Sequence, residues 1–143
     1  MYDGEFYNKT SHLMDLYDVG MNSMVVAESD ALAELASAIG KNDVASRMKN
    51  RAENLRTLIR DNLWDEESGI YVNKFKNGTF YRRVSPTSFY VMMAKVPTDQ
   101  QIERMIKEWL QNPKRFCITT DWPGNALSRY VHYILSCLSF EFG

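Results

Sequence analysis

Carboxylates are the side chains of this sequence with the clearest capacity for chemistry, because other common catalytic patterns are missing. The sequence has no glycine-rich phosphate loop, no zinc-type histidine pair and no nucleophile elbow. His12 and His132 are isolated, and a structural role or plain exposure is favoured for both. Hydrolysis of a glycosidic bond needs two carboxylates, one to protonate the leaving oxygen and one to activate water. The candidates are Asp3, Glu5, Asp15, Asp18 and Glu28.

Three of these carboxylates have informative surroundings. Glu28 lies on the apolar side of a predicted helix, seven residues after Met21, so a buried ion pair is favoured over catalysis. Asp18 precedes the same helix and is expected to cap its free amides. Asp3 lies beside Tyr2 in an aromatic loop, which suits stacking of a sugar ring but also an ordinary surface loop. Both readings of Asp3 remain open.

The elements that must position these groups are predicted to be mainly helices. Apolar residues recur at helical spacing from about Val19 to Ile39, and Gly40 is placed to end that helix. A second, amphipathic helix is predicted from Asp43, as its cap, to Leu63. Small residues lie opposite the apolar stripe of the first helix, so we expect an inner, buried helix followed by one that faces water.

This assignment to layers predicts which side chains are buried. We expect the large apolar residues of the first helix to be much more buried than the basic residues of the second. The apolar group is Met21, Val25, Leu32 and Leu35, and the basic group is Arg47, Lys49, Arg51 and Arg56. Replacing Leu32 by Ala should cost roughly 2–5 kcal/mol if its site is packed.

A small β-hairpin is predicted to interrupt the helices. Asn77 and Gly78 suit a tight turn that needs positive φ, and strand-like segments flank them. Ser85 and Pro86 then offer a cap and a first helical position for a short helix. Thr98 begins a capping box, which predicts one more helix.

Composition excludes several classes of partner. Lys and Arg total 17 against 18 for Asp and Glu, so no net positive field would attract nucleic acid. The longest apolar stretch, around residues 130–138, is too short to cross a membrane.

Cys117 and Cys137 lack metal-ligand spacing, and no metal or cofactor motif is present. The N-terminus has no signal-peptide pattern. The sequons at Asn8 and Asn77 are interpreted as chance occurrences.

Five sequence segments carry a resemblance to a known enzyme family. They are MYDG at the start, LYDVGMNSMVVAESDALAELA from Leu16, LWDEESGIYVN from Leu63, RRVSPTSFY from Arg82 and RFCITTDWPGN from Arg115. In this order and approximate spacing they resemble the catalytic domain of glycoside hydrolase family 63, which includes glucosidase I and mannosylglycerate hydrolase. The resemblance covers residues 1–125. Residues 126–143 no longer follow it and form a divergent hydrophobic tail.

The resemblance implies a fold and an activity. Members of the family form an (α/α)6 barrel of six inner and six outer helices and hydrolyse α-linked glucose or mannose with inversion. About five helices are predicted here, so the expected fold is mainly α, an incomplete (α/α)6 barrel with a small β-hairpin insertion. A carbohydrate substrate is implied, with no cofactor and no metal.

The resemblance also implies where a sugar would bind. Tyr2, Asp3 and Trp122 would line the sugar site, with stacking on the aromatic rings and hydroxyl contacts to the carboxylate. The family's general acid and general base match positions outside residues 1–125, so this chain is expected to be catalytically incomplete, with no catalytic residue of its own. The alternative is a non-catalytic helical interaction or scaffold module. Exposed apolar faces leave self-association open as a further partner.

Overall fold

The computed structural model describes residues 6–112, 114 and 115. This part of the chain is mainly helical, and its two long helices are α1 (Val19–Ala38) and α2 (Asn42–Leu63). The chain divides into two compact units, Met1–Val96 and Pro97–Gly143. Both long helices belong to the first unit, where they make its most extensive contact with each other.

Helix α1 begins and ends as the sequence predicts. The Asp18 carboxylate accepts a hydrogen bond from the backbone amide of Met21, which satisfies one of the free donors of the first turn. At the other end Ile39 is the C-cap, and Gly40 follows with a φ of 75°, in the left-handed region that glycine adopts without strain. The capping role of Asp18 is therefore confirmed.

The start of α2 differs from the prediction. Asp43 was expected to cap this helix, but α2 begins at Asn42, and the N-cap Lys41 makes no side-chain capping bond. Asp43 lies within the first turn, where its negative charge is favourable near the helix N-terminus.

The buried face of α1 consists mainly of small side chains. The hydroxyls of Ser23 and Ser29 each donate to a backbone carbonyl four residues earlier, so neither is buried without a partner. The buried residues of α1 are Val19, Gly20, Ser23, Val26, Ser29, Ala33 and Ala36, and those of α2 are Ala52, Ile59 and Leu63. Small residues let the two helices approach closely and still exclude water.

The predicted burial of the large apolar residues of α1 is wrong. Met21 and Leu35 are each 64% exposed and Leu32 is 52% exposed, while Val25 is partly buried. The reason is that α1 packs through its small-residue face, which turns the opposite, large-residue face outward.

The predicted exposure of Arg56 on the second helix is also wrong, because only 12% of its side chain is exposed. Its Nε donates to the carbonyl of Ala94 at 2.8 Å, and its guanidinium also pairs with Asp30 of α1. Arg60 makes the equivalent bond to the carbonyl of Val96, also at 2.8 Å. These two arginines tie α2 to the chain at residues 94–96.

The described residues also form short strands, which are more numerous than the single hairpin predicted. The strands are β1 (Tyr7–Asn8), β2 (Leu13–Met14), β3 (Leu16–Tyr17), β4 (Trp64–Asp65), β5 (Ile70–Tyr71), β6 (Asn73–Phe75) and β7 (Phe80–Tyr81). They form one three-stranded antiparallel sheet, in the order β3-β6-β7, and two two-stranded sheets, β1-β2 and β4-β5. Such short pairings satisfy backbone groups of the loops at the ends of the helices.

The predicted turn is confirmed within the larger sheet. Gly78 has a φ of 90°, and the amide of Phe75 donates to the carbonyl of Thr79 at 2.9 Å. The Asn77 side chain accepts from the amide of Thr79, also at 2.9 Å. The hairpin joins β6 to β7.

The remaining elements are short helices. A 3-10 turn (Pro86–Phe89), capped by Ser85, continues into α3 (Tyr90–Met93). In the second unit, the predicted Thr98 capping box is confirmed at the start of α4 (Asp99–Met105), which a π-helical turn (Ile106–Leu110) follows.

Candidate functional site

The predicted sugar-site residues Tyr2, Asp3 and Trp122 all lie outside the described residues, as does Glu5. The predicted boundary after residue 125 also lies outside them. The structure describes the region that leads from residue 6 into α1, together with the sheet and the turn that contact it. This region contains two of the carboxylates considered above, Asp15 and Asp18.

Asp18 lies at the centre of a polar network at the start of α1. One carboxylate oxygen accepts from the amide of Met21 at 2.7 Å, and the other accepts from the side-chain amide of Asn73 at 3.0 Å. The Asn73 side-chain oxygen in turn accepts from the backbone amide of Val19 at 2.8 Å. Through these two hydrogen bonds, Asn73 of strand β6 holds the first residues of α1 in position. Asn73 is not among the residues that the sequence indicates, because its strand context gives no signal of a long-range contact.

Gly20 allows the turn around Thr87 to approach the first turn of α1. A Cβ atom at residue 20 would lie 2.7 Å from the Thr87 Cβ, a distance that side chains do not tolerate. The Thr87 hydroxyl is hydrogen bonded to that of Ser85 at 2.7 Å. A glycine in the first turn of a predicted helix was the available signal of this contact.

Asp15 has two partners that keep it charged. The Lys76 ammonium lies 2.9 Å from one oxygen, and the Asn8 side-chain amide donates to the other at 2.8 Å. These hydrogen bonds, that of Lys76 foremost, hold the pKa of the Asp15 carboxyl below its usual value. The Asn8 oxygen accepts from the amides of Thr10 and Ser11. The arrangement stabilises the loop, and a carboxyl kept ionised in this way is unsuited to act as a general acid.

Asp65 is a buried carboxylate with a guanidinium beside it. The Arg82 Nε donates to it at 2.7 Å, and the Ser68 hydroxyl donates as well. The hydrogen bond from Arg82 lowers the pKa of Asp65 despite burial, which acts in the opposite direction. Arg82 also pairs with Glu67 at 2.7 Å. The pair joins the turn after α2 to the residues after β7.

Aromatic side chains pack in the same region. The ring of Phe6 contacts those of Phe75 and Tyr81, with centroids 5.9 and 5.1 Å away. Phe6 is buried, so this cluster is a small core rather than a stacking platform. Tyr7, which is 44% exposed, shares a 2.9 Å hydrogen bond with Nδ1 of His12.

A groove of about 510 Å³ lies between α1, α2 and the hairpin. Its floor is formed largely by Leu55, Ile59, Leu63 and Phe75, and Tyr17 lines it together with two amides, Asn22 and Asn62. The Lys74 ammonium donates to the Asn62 carbonyl at 3.2 Å and lies 4.8 Å from the Phe80 ring centre. An apolar floor of this kind suits an apolar side chain better than a hydroxyl-rich sugar.

Glu28 does not form the buried ion pair that the sequence favoured. It is exposed, among the large apolar side chains on the outward face of α1. Within residues 6–112, no hydrogen bond or ion pair is found for its carboxylate.

Within the described residues, no group of three or more His, Cys, Asp and Glu side chains could hold a metal ion. Among the same residues, no helix combines the length and the apolar character that a membrane crossing requires.

Comparisons with known proteins agree with the resemblance found in the sequence. An uncharacterized protein of Borreliella burgdorferi is 24% identical over 123 residues, which are 86% of this chain and 26% of that protein. Neutral trehalase Nth1 from Saccharomyces cerevisiae superposes with a TM-score of 0.61 at 19% identity, over 68% of this chain and 20% of the trehalase chain. The chain thus spans about a quarter or less of either protein.

The likeness to trehalase is one of fold, and a mainly helical chain with this neighbour fits part of an α/α toroid. The family model described as the mannosylglycerate hydrolase MGH1-like glycoside hydrolase domain matches residues 2–129. That range includes the three predicted sugar-site residues. The chain therefore belongs to the MGH1-like family of glycoside hydrolase domains.

Proposed function

We propose that this chain is a segment of an inverting α-glycosidase that acts on α-glucosides or α-mannosides, including mannosylglycerate. In this proposal residues 1–125 form an arc of an (α/α)6 barrel, and residues 126–143 are a divergent tail. The observation that carries the proposal is the family match over residues 2–129. A carbohydrate is the natural partner of such a domain.

The proposed role is recognition of the sugar rather than cleavage of its bond. An inverting site needs an acid and a base roughly 6.5–9.5 Å apart, with room for a water molecule between them. Three of the described carboxylates have other partners: Asp18 caps α1, Asp15 pairs with Lys76, and Asp65, after α2, pairs with Arg82. This supports a chain that contributes sugar contacts but does not hydrolyse the substrate by itself.

The sugar contacts are assigned to Tyr2, Asp3 and Trp122. Aromatic rings bind the apolar face of a pyranose, and a carboxylate accepts hydrogen bonds from its hydroxyls, so these residue types suit a sugar site. Binding should be weak, because three side chains supply little surface against the entropic cost of association.

The proposal is tested by titrating α-mannosylglycerate and methyl α-glucoside into the full chain while amide chemical shifts are recorded. We expect saturable shifts that are lost in Tyr2→Ala and in Trp122→Ala. Tyr7→Ala is the matched control, because Tyr7 is a tyrosine close to Tyr2 in the sequence and its ring is hydrogen bonded to His12. Shifts that are absent in the wild type, or that survive both substitutions, would contradict the assignment.

A second candidate function is a helical interaction module. The observation that favours it is the apolar surface of α1 and its C-cap, where Met21, Leu35 and Ile39 are all more than 60% exposed.

A further inference from the structure

The exposed face of α1 has the spacing of a helix-packing seam. Its residues alternate at steps of four and three, as in the a and d positions of a heptad repeat. The a positions are Val25, Leu32 and the C-cap Ile39, and the d positions are Met21, Glu28 and Leu35; all are exposed except Val25, which is partly buried. We call these six residues the seam. Five of them are apolar, and Glu28 is the exception.

The seam is large enough to accept a second helix. It extends over eighteen residue steps, or about 27 Å at the rise of an α-helix. Ile39 is 73% exposed, and the alanines Ala31 and Ala38 beside the seam are also exposed. Small neighbours of this kind allow another backbone to come close, and the spacing is that of helices crossing at about 20°.

Glu28 determines what kind of helix can cover the seam. Its carboxylate lies at the middle d position, with apolar seam residues on both sides along α1. A covering helix would remove it from water, and a buried carboxylate is tolerated only with a positive or hydrogen-bonding partner. The seam itself contains no cation, so the partner must supply one.

A second copy of this chain is a poor match for the same reason. In a parallel pairing the two Glu28 carboxylates would face each other in one layer. In an antiparallel pairing centred on the seam, Glu28 of one copy would face Leu32 of the other. Either arrangement buries a carboxylate without a cation from the facing seam.

We propose that the seam is a docking surface for an amphipathic helix that places an arginine or lysine opposite Glu28. The apolar positions supply the contact area, and the charge pair sets the register and excludes helices without the cation, as single polar seam positions do in coiled coils.

Two synthetic helical peptides of about 21 residues test the proposal. Both carry leucine at their a and d positions, except that the central one is Arg in the first peptide and Glu in the second. Fluorescence anisotropy gives the Kd of each for the full chain. The Arg peptide should bind about tenfold more tightly than the Glu peptide, and Glu28→Arg should reverse this preference. Glu34→Arg is the matched control, since Glu34 is an exposed carboxylate of α1 outside the seam, and it should leave the preference intact.

Leu35→Lys should abolish binding of the Arg peptide, because it places a charge in the apolar part of the seam. Equal affinities of the two peptides for the wild type, or a preference that survives Glu28→Arg, would overturn the proposal. Sedimentation equilibrium tests whether a second copy of the chain occupies the seam instead. A dimer that forms with rising concentration and disappears in Leu35→Lys would assign the seam to a second copy and also overturn it.

Discussion

The two faces of α1 differ in a way that hydrophobicity alone does not anticipate. The face that packs inward carries Ser23, Ser29, Ala33 and Ala36, while the outward face carries the large residues of the seam. Helices pack closely where small side chains let their backbones approach, even when a more apolar face is available. The more apolar face then marks a surface that is suited to a further partner.

The largest effect that we expect is the contrast between truncating a side chain buried in the packed helix pair and truncating one on the outward face of α1. Ile59→Ala should lower the free energy of unfolding by about 2–5 kcal/mol, because Ile59 is only 2% exposed in α2. Leu32→Ala should change it by about 0.5 kcal/mol or less, since half of that side chain already faces water. Chemical denaturation of both variants measures the contrast. Equal losses would show that the seam is packed after all.

A second prediction concerns the close contact between Gly20 of α1 and Thr87. Gly20→Ala should cost about 1–3 kcal/mol, because the new methyl group would overlap the Thr87 Cβ. Thr87→Gly removes that Cβ, so the double variant should lose less stability than the sum of the two single variants. Additive losses in denaturant titrations would mean that the contact is not the cause.

The smallest predicted effect lies away from the helix pair, at the buried carboxylate of Asp65. Asp65→Asn should cost about 1 kcal/mol at neutral pH, because the Arg82 hydrogen bond loses its charged acceptor. Since folding lowers the pKa of Asp65 from its usual 3.8, the stabilisation is present above that pH and is lost as the pH falls through the lowered pKa. The difference between wild type and variant should therefore vanish in acid.

Denaturation at a series of pH values measures this trend. Asp61→Asn is the control for the loss of one carboxylate, because Asp61 is exposed near the end of α2. A difference between wild type and Asp65→Asn that persists at low pH would contradict the role of the ion pair.

Local features of the fold were predictable where one residue determines the geometry. Gly40 and Gly78 marked a helix end and a turn through their positive φ, and Asp18 and Thr98 marked helix starts through capping. The orientation of α1 was not predictable in the same way. Its apolar stripe showed which face is hydrophobic, but the face that packs depends on how closely α2 can approach.

The candidate sugar site was assigned through family resemblance, and the local sequence indicated little about the polar contacts around α1. The network of Asp18 and Asn73 joins residues 55 positions apart, and nothing in the local sequence of β6 indicates that contact. Likewise, the partners of Asp15 and Asp65 depend on tertiary folding, so the sequence could list carboxylates but not separate structural ones from reactive ones. The assignments of Tyr2, Asp3 and Trp122 to a sugar site stay predictions.

The central claim is that this chain does not hydrolyse its sugar by itself. An assay of free sugar released by the purified chain tests this most directly. The substrates are α-glucosides, α-mannosides and mannosylglycerate, and Asp3→Asn is assayed beside the wild type. We predict no release by either protein, because no acid and base pair is proposed within the chain. Turnover by the wild type that disappears in Asp3→Asn would contradict this account and make Asp3 catalytic.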